Sequence, residues 1–229
     1  MTRTIAIHPR LMDRLTAEEQ ARLRSCAALR RLPRGAGLFH QGSALHELYI
    51  VLRGRIRVFH TSEQGNALTF AYWSEGTLVG TPGVRHVFEH RWNAEAAVES
   101  ELLAISGEHF ATLMHHIPAL CFAVIEALEF KASRLANLAQ ILATSSVAER
   151  LKMLLLNLVD LYGANDSSGV VITVPFTHEE IAGMVGASRP WVSTMMTRMR
   201  SHGLLDAQRG RMRIPDPAVL QAADFNALR

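Results

Sequence analysis

The chain of 229 residues contains only two cysteines, Cys26 and Cys121. Two thiols cannot supply a four-thiolate iron–sulfur site within one chain, so no iron–sulfur cluster is expected. No C-x-x-C pair is present, which removes the usual zinc and dithiol signatures. Cys121 lies in an apolar, helix-like run and reads as a small core residue. No apolar run approaches the roughly 18–20 residues of a membrane span, and no membrane partner is expected. Residues 1–10 carry Arg3 and Arg10 but no apolar h-region. No secretory signal is read there, and the chain is expected in the cytoplasm. Neither sign of charge dominates, the formal surplus being only +3. What is present is a globular balance, 48% apolar and 20% charged, over a length that allows one large domain or two ordinary ones.

The distribution of charge says more than its sum. Between Pro175 and Ile214 there are six arginines (189, 198, 200, 209, 211 and 213) against Glu179, Glu180 and Asp206. Six minus three is +3, the surplus of the whole chain. Basic charge gathered in one small region suggests a polyanionic partner, though a solvated charged face has the same composition.

Residues 11–31 read as helical, with Leu11, Leu15, Leu23 and Leu29 among Glu and Arg, ended by Pro33 and Gly35. From Leu38 to about Ile105 short apolar runs alternate with Gly-rich breaks. They are residues 48–52, 56–59, 68–73 and 102–105. Arg53-Gly54-Arg55 and Glu63-Gln64-Gly65-Asn66 read as hairpin turns. Strands so closely spaced imply an antiparallel sandwich, jelly roll or barrel.

A long helix is expected from Pro118 to Ala143. Cys121, Leu128, Leu135 and Leu142 recur every seven residues, with Val124, Lys131 and Leu138 three after the first three. This is the a/d seam of a two-stranded coiled coil, and it predicts a homodimer. A helix packed on its own domain is the other reading of the pattern. Thr144-Ser145-Ser146 breaks it and caps a second helix, Val147 to Leu161. Residues 162–169 read as loop and Val170–Val174 as strand.

Thr177-His178-Glu179-Glu180 has the form of a capping box, Thr177 at N-cap and Glu180 at N3. Ile181, Met184 and Val185 give a short helix its apolar stripe, and Gly186 supplies the turn after it. Ser188 caps a second helix with Pro190 in its first turn, where a missing N–H costs nothing. Val192, Met195, Met196 and Met199 face the core, and Gly203 stops the helix. Counting from His178, Ala182 is fifth, Gly186 ninth, Val192 fifteenth and Met195 eighteenth. Those are the places where a helix-turn-helix needs a small residue, a turn glycine and two packing residues. A bland αα-hairpin is the weaker alternative. Arg189, Trp191, Ser193, Thr194 and Arg198 fall off the core face. Arg189 is the best base reader, because its fork can take guanine O6 and N7 together. Ser193 and Thr194 reach base edges or phosphates, while Arg198 and Arg200 position on phosphate. Thr177 and Ser188 complete the expected DNA-contacting set. A hairpin from Leu204 to Ile214, turning at Arg209-Gly210-Arg211, forms a basic wing.

The whole chain resembles the Crp/Fnr family of bacterial regulators. Gly35-x-Gly-Leu-Phe-His-Gln-Gly42 with Leu48-Tyr49-Ile50-Val51-Leu52-x-Gly54-x-Ile56-x-Val58 looks like the first half of its β-roll. Ser188-Arg189-Pro190-Trp191-Val192-Ser193 is similar to one branch's recognition helix. The resemblance implies an α+β fold. An N-terminal antiparallel, jelly-roll-like β-roll with its leading helix would span 1–117, a long dimerisation helix 118–143, and a winged helix-turn-helix 144–229. It further implies a homodimer on a near-palindromic double-stranded DNA operator, with RNA polymerase as a partner and a small effector bound between β-roll and long helix.

Departures bear on that effector. Members that bind cyclic AMP carry a cassette like Gly-Glu-Leu followed by Arg-Ser-Ala. Here Gly76-Thr77-Leu78-Val79-Gly80-Thr81 and Arg91-Trp92-Asn93-Ala94 stand in its place, with Thr81 where the ribose-holding glutamate is expected. The long helix also lacks the Thr-Ser pair that meets the purine, so cyclic AMP is disfavoured. Arg91-Trp92-Asn93-Ala94-x-Ala96 is more similar to the segment of the 2-oxoglutarate-binding nitrogen regulators, with Arg91 and Lys131 near the carboxylate-binding places. Independently, a lysine on a seam is costly without a partner. An anionic effector held by Val79, Gly80, Thr81, Arg91, Lys131 and Arg134 would supply one. The bland reading has Lys131 snorkelling to solvent and Arg91 in a surface pair. Two alternatives remain. Haem is one, with His86, His90, His40 or Cys26 as ligand. The other is a cupin-like metal enzyme using His86, His90 and Glu95, although a His-x-His pair and a nucleophile–base pair are both missing.

Overall fold

The computed structural model describes residues 9–63, 65, 67–80, 89–208 and 211–225. The chain divides into two compact units, Met1–Thr61 with Phe70–Asn137 and Ser62–Thr69 with Leu138–Arg229. No single helix among the described residues is long and apolar enough to cross a membrane.

In the first unit a 3-10 turn, Leu11–Arg14, leads to α1, Ala17–Ser25. Eight strands follow: β1 Ala28–Leu32, β2 Gly37–Phe39, β3 Glu47–Arg53, β4 Arg55–Thr61, β5 Ala67–Ser74, β6 Leu78–Val79, β7 Asn93–Ala96 and β8 Ser100–Ser106. They build two four-stranded sheets, ordered β1-β8-β3-β6 and β2-β7-β4-β5. Their ladders are antiparallel. Helix α2 (Gly107–His116) follows, then α3 (Pro118–Thr144), which belongs to this unit as far as Asn137 and to the second unit from Leu138.

The long apolar runs have a physical reason. In β3, Tyr49 and Val51 pack into the cluster that joins the two sheets, with Ile56, Val58, Trp73, Leu102 and Ala104. Leu48 and Ile50 point the other way, into a second cluster with Leu103, Ile105, Phe110 and Leu120. A strand buried on both faces must be apolar at every position, so it loses the alternation of a half-exposed strand.

Several expectations are corrected. The helix expected over residues 11–31 ends at Ser25, and Ala28–Leu32 is an edge strand paired with β8 from Ala28↔Ala104 to Leu32↔Ser100. The local start signal is real, since the Thr16 hydroxyl accepts from the Glu19 N–H in a full capping box. The distant ladder then overrides local propensity. Arg53-Gly54-Arg55 is no hairpin. β3 and β4 lie in different sheets, so this turn is a corner between layers. Gly54 has φ +96°, and a Cβ there would lie 2.6 Å from the Glu99 carbonyl oxygen. Of the second expected turn, Gln64 and Asn66 lie outside the described residues, while β4 and β5 are sheet neighbours.

The long helix is present, but half of its expected seam is not. α3 buries Leu120, Ala123, Val124 and Ala127 in its own unit. Val124 and Lys131 therefore belong to the intramolecular face. The apolar residues left exposed include Ile125 at 51%, Leu128 at 39% and Leu135 at 42%. The exposed seam thus runs through 125, 128, 132, 135 and 139, alternating three and four residues.

The second unit contains α4 (Val147–Tyr162), β9 (Gly163–Asp166), β10 (Gly169–Ile172), α5 (His178–Val185), α6 (Arg189–Ser201), β11 (Asp206–Gln208), β12 (Arg211–Ile214) and α7 (Pro217–Ala222). Its sheet order is β11-β12-β10-β9. Part of the loop expected over 162–169 is the strand β9, because its backbone finds a partner in β10, which itself stops at Ile172. The core gathers Leu151, Leu155, Ile181, Val185, Val192, Met196, Met199, Ile214, Leu220 and Phe225.

Candidate nucleic-acid interface and effector site

Each end of the helix pair is set by local chemistry. Thr177 and Glu180 form the reciprocal capping box: the Glu180 carboxylate accepts from the Thr177 N–H at 2.7 Å, and the Thr177 hydroxyl accepts from the Glu180 N–H at 3.1 Å. Gly186 ends α5 at φ +65°, ψ +47°, a left-handed conformation in which glycine has no Cβ penalty. The Ser188 hydroxyl accepts from the Trp191 N–H, with Pro190 in the first turn of α6. Ala182 is buried, and Val192, Met195, Met196 and Met199 all face the core.

With those four turned inward, Arg189, Thr194, Arg198 and Arg200 are exposed on α6, and Arg211 on the wing. Arg209 lies outside the described residues. Two expected contacts are more engaged than the sequence suggests. Trp191 is half-buried and packs against the core of its unit. Ser193 is half-buried, and its hydroxyl lies 2.8 Å from Nδ1 of His178 on α5. Pro190, Trp191, Thr194, Met195 and Arg198 line a shallow depression of about 500 Å³ along the helix. Arg213 is committed to Asp166 at 2.9 Å and Asp206 at 3.4 Å.

Sequence reasoning missed two residues here. One is His178. The other is Arg150, whose guanidinium donates to the carbonyls of Val185 at 2.8 Å and Ser145 at 3.0 Å. It ties the last residue of α5 to the break before α4. Neither had a sequence signal, since both partners are chosen by packing.

The expected effector residues are only partly gathered. Lys131 donates from Nζ to the Gly80 carbonyl at 3.2 Å, and its ammonium lies 5.7 Å from the Trp73 ring centre. Burial pulls its pKa down from 10.5 to about 8. Pro9, Trp73, Thr77, Leu78, Ala127, Phe130 and Lys131 surround a space of only about 10 Å³. Val79 is buried in β6, paired with Tyr49, and Gly80 has φ +94°. Arg91 and Arg134 are exposed, whereas the Lys131 amine is turned inward. The snorkelling reading of Lys131 is thereby corrected, because its amine turns inward. Thr81 and His86 lie outside the described residues.

Of the alternative ligands, His40 and Cys26 are exposed. His90 is buried with its ring stacked flat on Phe39, centres 3.7 Å apart. Burial lowers its pKa, and the nearby His46 adds to that. Glu95, a cupin-type candidate, pairs with Arg57 at 3.0 Å. No cluster of three metal-ligating side chains occurs among the described residues.

Comparison with known proteins agrees with this geometry. Residues 29–116 match the cyclic nucleotide-binding domain, and residues 149–223 the Crp-like helix-turn-helix domain. The chain is 28% identical over 198 residues to the cyclic AMP receptor protein of Thermus thermophilus, covering 86% of this chain and 88% of that protein. It is 21% identical over 196 residues to the global nitrogen regulator of Synechococcus elongatus, covering 84% and 87%. Among solved structures, the c-di-GMP responsive global regulator CLP of Xanthomonas campestris superposes with a TM-score of 0.80 at 21% identity, covering 88% of this chain and all of that one. Two domain matches in the right order, on a β-roll, a long helix and a helix-turn-helix, place the chain in the Crp/Fnr family: an intracellular, non-enzymatic, DNA-binding transcription regulator that responds to an effector.

Proposed function

We propose that this regulator binds a near-palindromic operator as a homodimer, and that an organic anion other than cyclic AMP gates it. The segments 1–117, 118–143 and 144–229 act as sensor, dimerisation helix and DNA-binding domain. The N-terminal end of α6 enters the major groove. Arg189 reads a guanine; Thr194 and Ser193 add base-edge contacts; Thr177, Ser188, Trp191, Arg198, Arg209 and Arg211 line the phosphates. RNA polymerase is the protein partner on the promoter. The effector lies beside Val79, Gly80, Thr81 and Lys131, with Arg91 and Arg134 at its edge.

The observation that carries the effector reading is the inward-turned amine of Lys131, which among the described residues has one carbonyl as its hydrogen-bond acceptor. An ammonium offers three donors, and the two that the described residues leave open suit an anion. The effectors that two relatives bear in their names, cyclic AMP and c-di-GMP, are themselves organic anions. The small space at Lys131 supports gating, since a ligand must displace the Gly80 carbonyl and move the end of β6 to enter.

Selection from a random-duplex library, followed by Arg189→Ala, tests the DNA reading. A loss of about 1–3 kcal/mol confined to one base pair per half-site is expected. Equal weakening on all sequences makes Arg189 a phosphate contact. A thermal-melt screen of organic acids and cyclic nucleotides tests the effector. A rise in Tm with an anion other than cyclic AMP that Lys131→Ala abolishes supports it, and a rise with cyclic AMP alone, or no rise with any anion, overturns it.

A further inference from the structure

His178 and Ser193 are fifteen residues apart, and the fold sets His178 Nδ1 2.8 Å from the Ser193 hydroxyl. Ser193 sits on the α6 face between Arg189, four residues before it, and Thr197, four after, both exposed. Among the described residues Nδ1 is the hydrogen-bond partner of the Ser193 hydroxyl, and the protonation of the ring decides which of the two donates. The side chains at i and i+4 share a helix face, so Ser193 belongs to the row that begins with the arginine read above as the base reader.

We propose that His178 sets the hydrogen-bonding polarity of Ser193, and through it the base that Ser193 reads. This rests on α6 being the DNA-reading helix. A neutral imidazole with its proton on Nε2 accepts the Ser193 O–H at Nδ1. Both lone pairs of the hydroxyl then face outward, and Ser193 is an acceptor. It matches the amino group of cytosine N4 or adenine N6 in the major groove. When the ring takes a proton, Nδ1 becomes a donor to Ser193 Oγ. The Ser193 hydrogen is released outward, and Ser193 becomes a donor, matching guanine O6 or N7 or thymine O4. Of the two side chains in this exchange, the ring is the one that takes up the proton.

The surroundings leave the imidazole free to do this. Among the described residues no ion pair involves His178. On its own helix, Glu180 is held by the Thr177 capping box, leaving Glu179 as the other acid. On α6 the charged groups are Arg189, Arg198 and Arg200. On α4, Glu149 is bound to the Ser146 N–H, Arg150 to the carbonyls of Val185 and Ser145, and Lys152 to the Ala223 carbonyl; Asp160 is exposed near the far end.

The test is selection of the full-length protein on a random-duplex library at about pH 8 and about pH 5.5. One position of each half-site is expected to swing from cytosine or adenine to guanine or thymine, by about three- to tenfold in preference, the worth of one hydrogen bond. Ser193→Ala should lose the preference there at both pH values. His178→Gln, which cannot titrate, should hold one preference at both. A wild-type preference that does not change with pH, or a swing that survives His178→Gln, overturns the proposal while leaving the DNA reading intact. Failure of the wild type to enrich any duplex at either pH, with or without each organic acid of the melt screen, overturns the DNA reading and this proposal together.

Discussion

Lys131 carries an energetic cost that pH can relieve. Its amine is held in an apolar setting by Trp73, Leu78, Ala127 and Phe130, with the Gly80 carbonyl as its hydrogen-bond partner. Burial lowers its pKa in the folded state from 10.5 to about 8. Between those two values the unfolded chain holds a proton that the folded chain has released, so stability rises with pH across that window. Below about 8 the amine is charged in both states and the full cost applies. The cost is on the order of 3 kcal/mol. Urea unfolding at about pH 7 and about pH 9.5 should show this rise, and Lys131→Met should flatten it while stabilising the protein at the lower pH. A wild type whose stability is level across that window would mean the amine is solvated.

At the scale of the element, α3 has two apolar faces with different work to do. Leu120, Ala123, Val124 and Ala127 are inside. Ile125, Leu128 and Leu135 are exposed and fall with Ala132 and Ala139 on one seam. In the proposed homodimer, small residues at 132 and 139 would let the partner's helix approach closely, and Leu128 and Leu135 would fill the holes it offers. Leu128→Asp together with Leu135→Asp should therefore give a folded monomer by analytical ultracentrifugation, with near-native circular dichroism. Leu120→Ala should leave the association state alone and cost about 2–5 kcal/mol of stability through a core cavity. A double aspartate variant that still sediments as a dimer would place the interface elsewhere. The sequence showed the heptad period here but not which half of it turned inward.

For the whole molecule, the charge surplus of residues 175–214 is distributed by the fold. Arg213 is spent on Asp166 and Asp206, while Arg189, Arg198, Arg200 and Arg211 stay exposed. In the proposed dimer, Arg198, Arg200, Arg209 and Arg211 of both protomers would give about eight phosphate contacts, which predicts a loss of roughly 10⁴-fold in affinity between about 50 and 200 mM salt. Fluorescence anisotropy on a selected duplex measures that slope. Arg211→Ala should make it shallower, by about one phosphate per protomer, without changing the preferred sequence. An affinity indifferent to salt would contradict a backbone-dominated interface.

Signals confined to a few neighbouring residues were legible without the structure. Thr177 with Glu180, the left-handed Gly186, the Ser188 cap and the inward row Val192, Met195, Met196 and Met199 lie where their spacing put them, because caps, turns and helix faces are settled by residues three or four apart. What depended on a distant partner was not legible. Ala28–Leu32 became a strand because β8 offered a ladder. Gly54 became a corner between sheets, and the inward turn of Val124 and Lys131 was decided by the sheet beneath α3. The hydrogen bond between His178 and Ser193 belongs to the same class. Local backbone and side-chain geometry is written in short spacings, whereas the facing of a helix and the partner of a buried polar atom are chosen only when elements far apart in sequence pack.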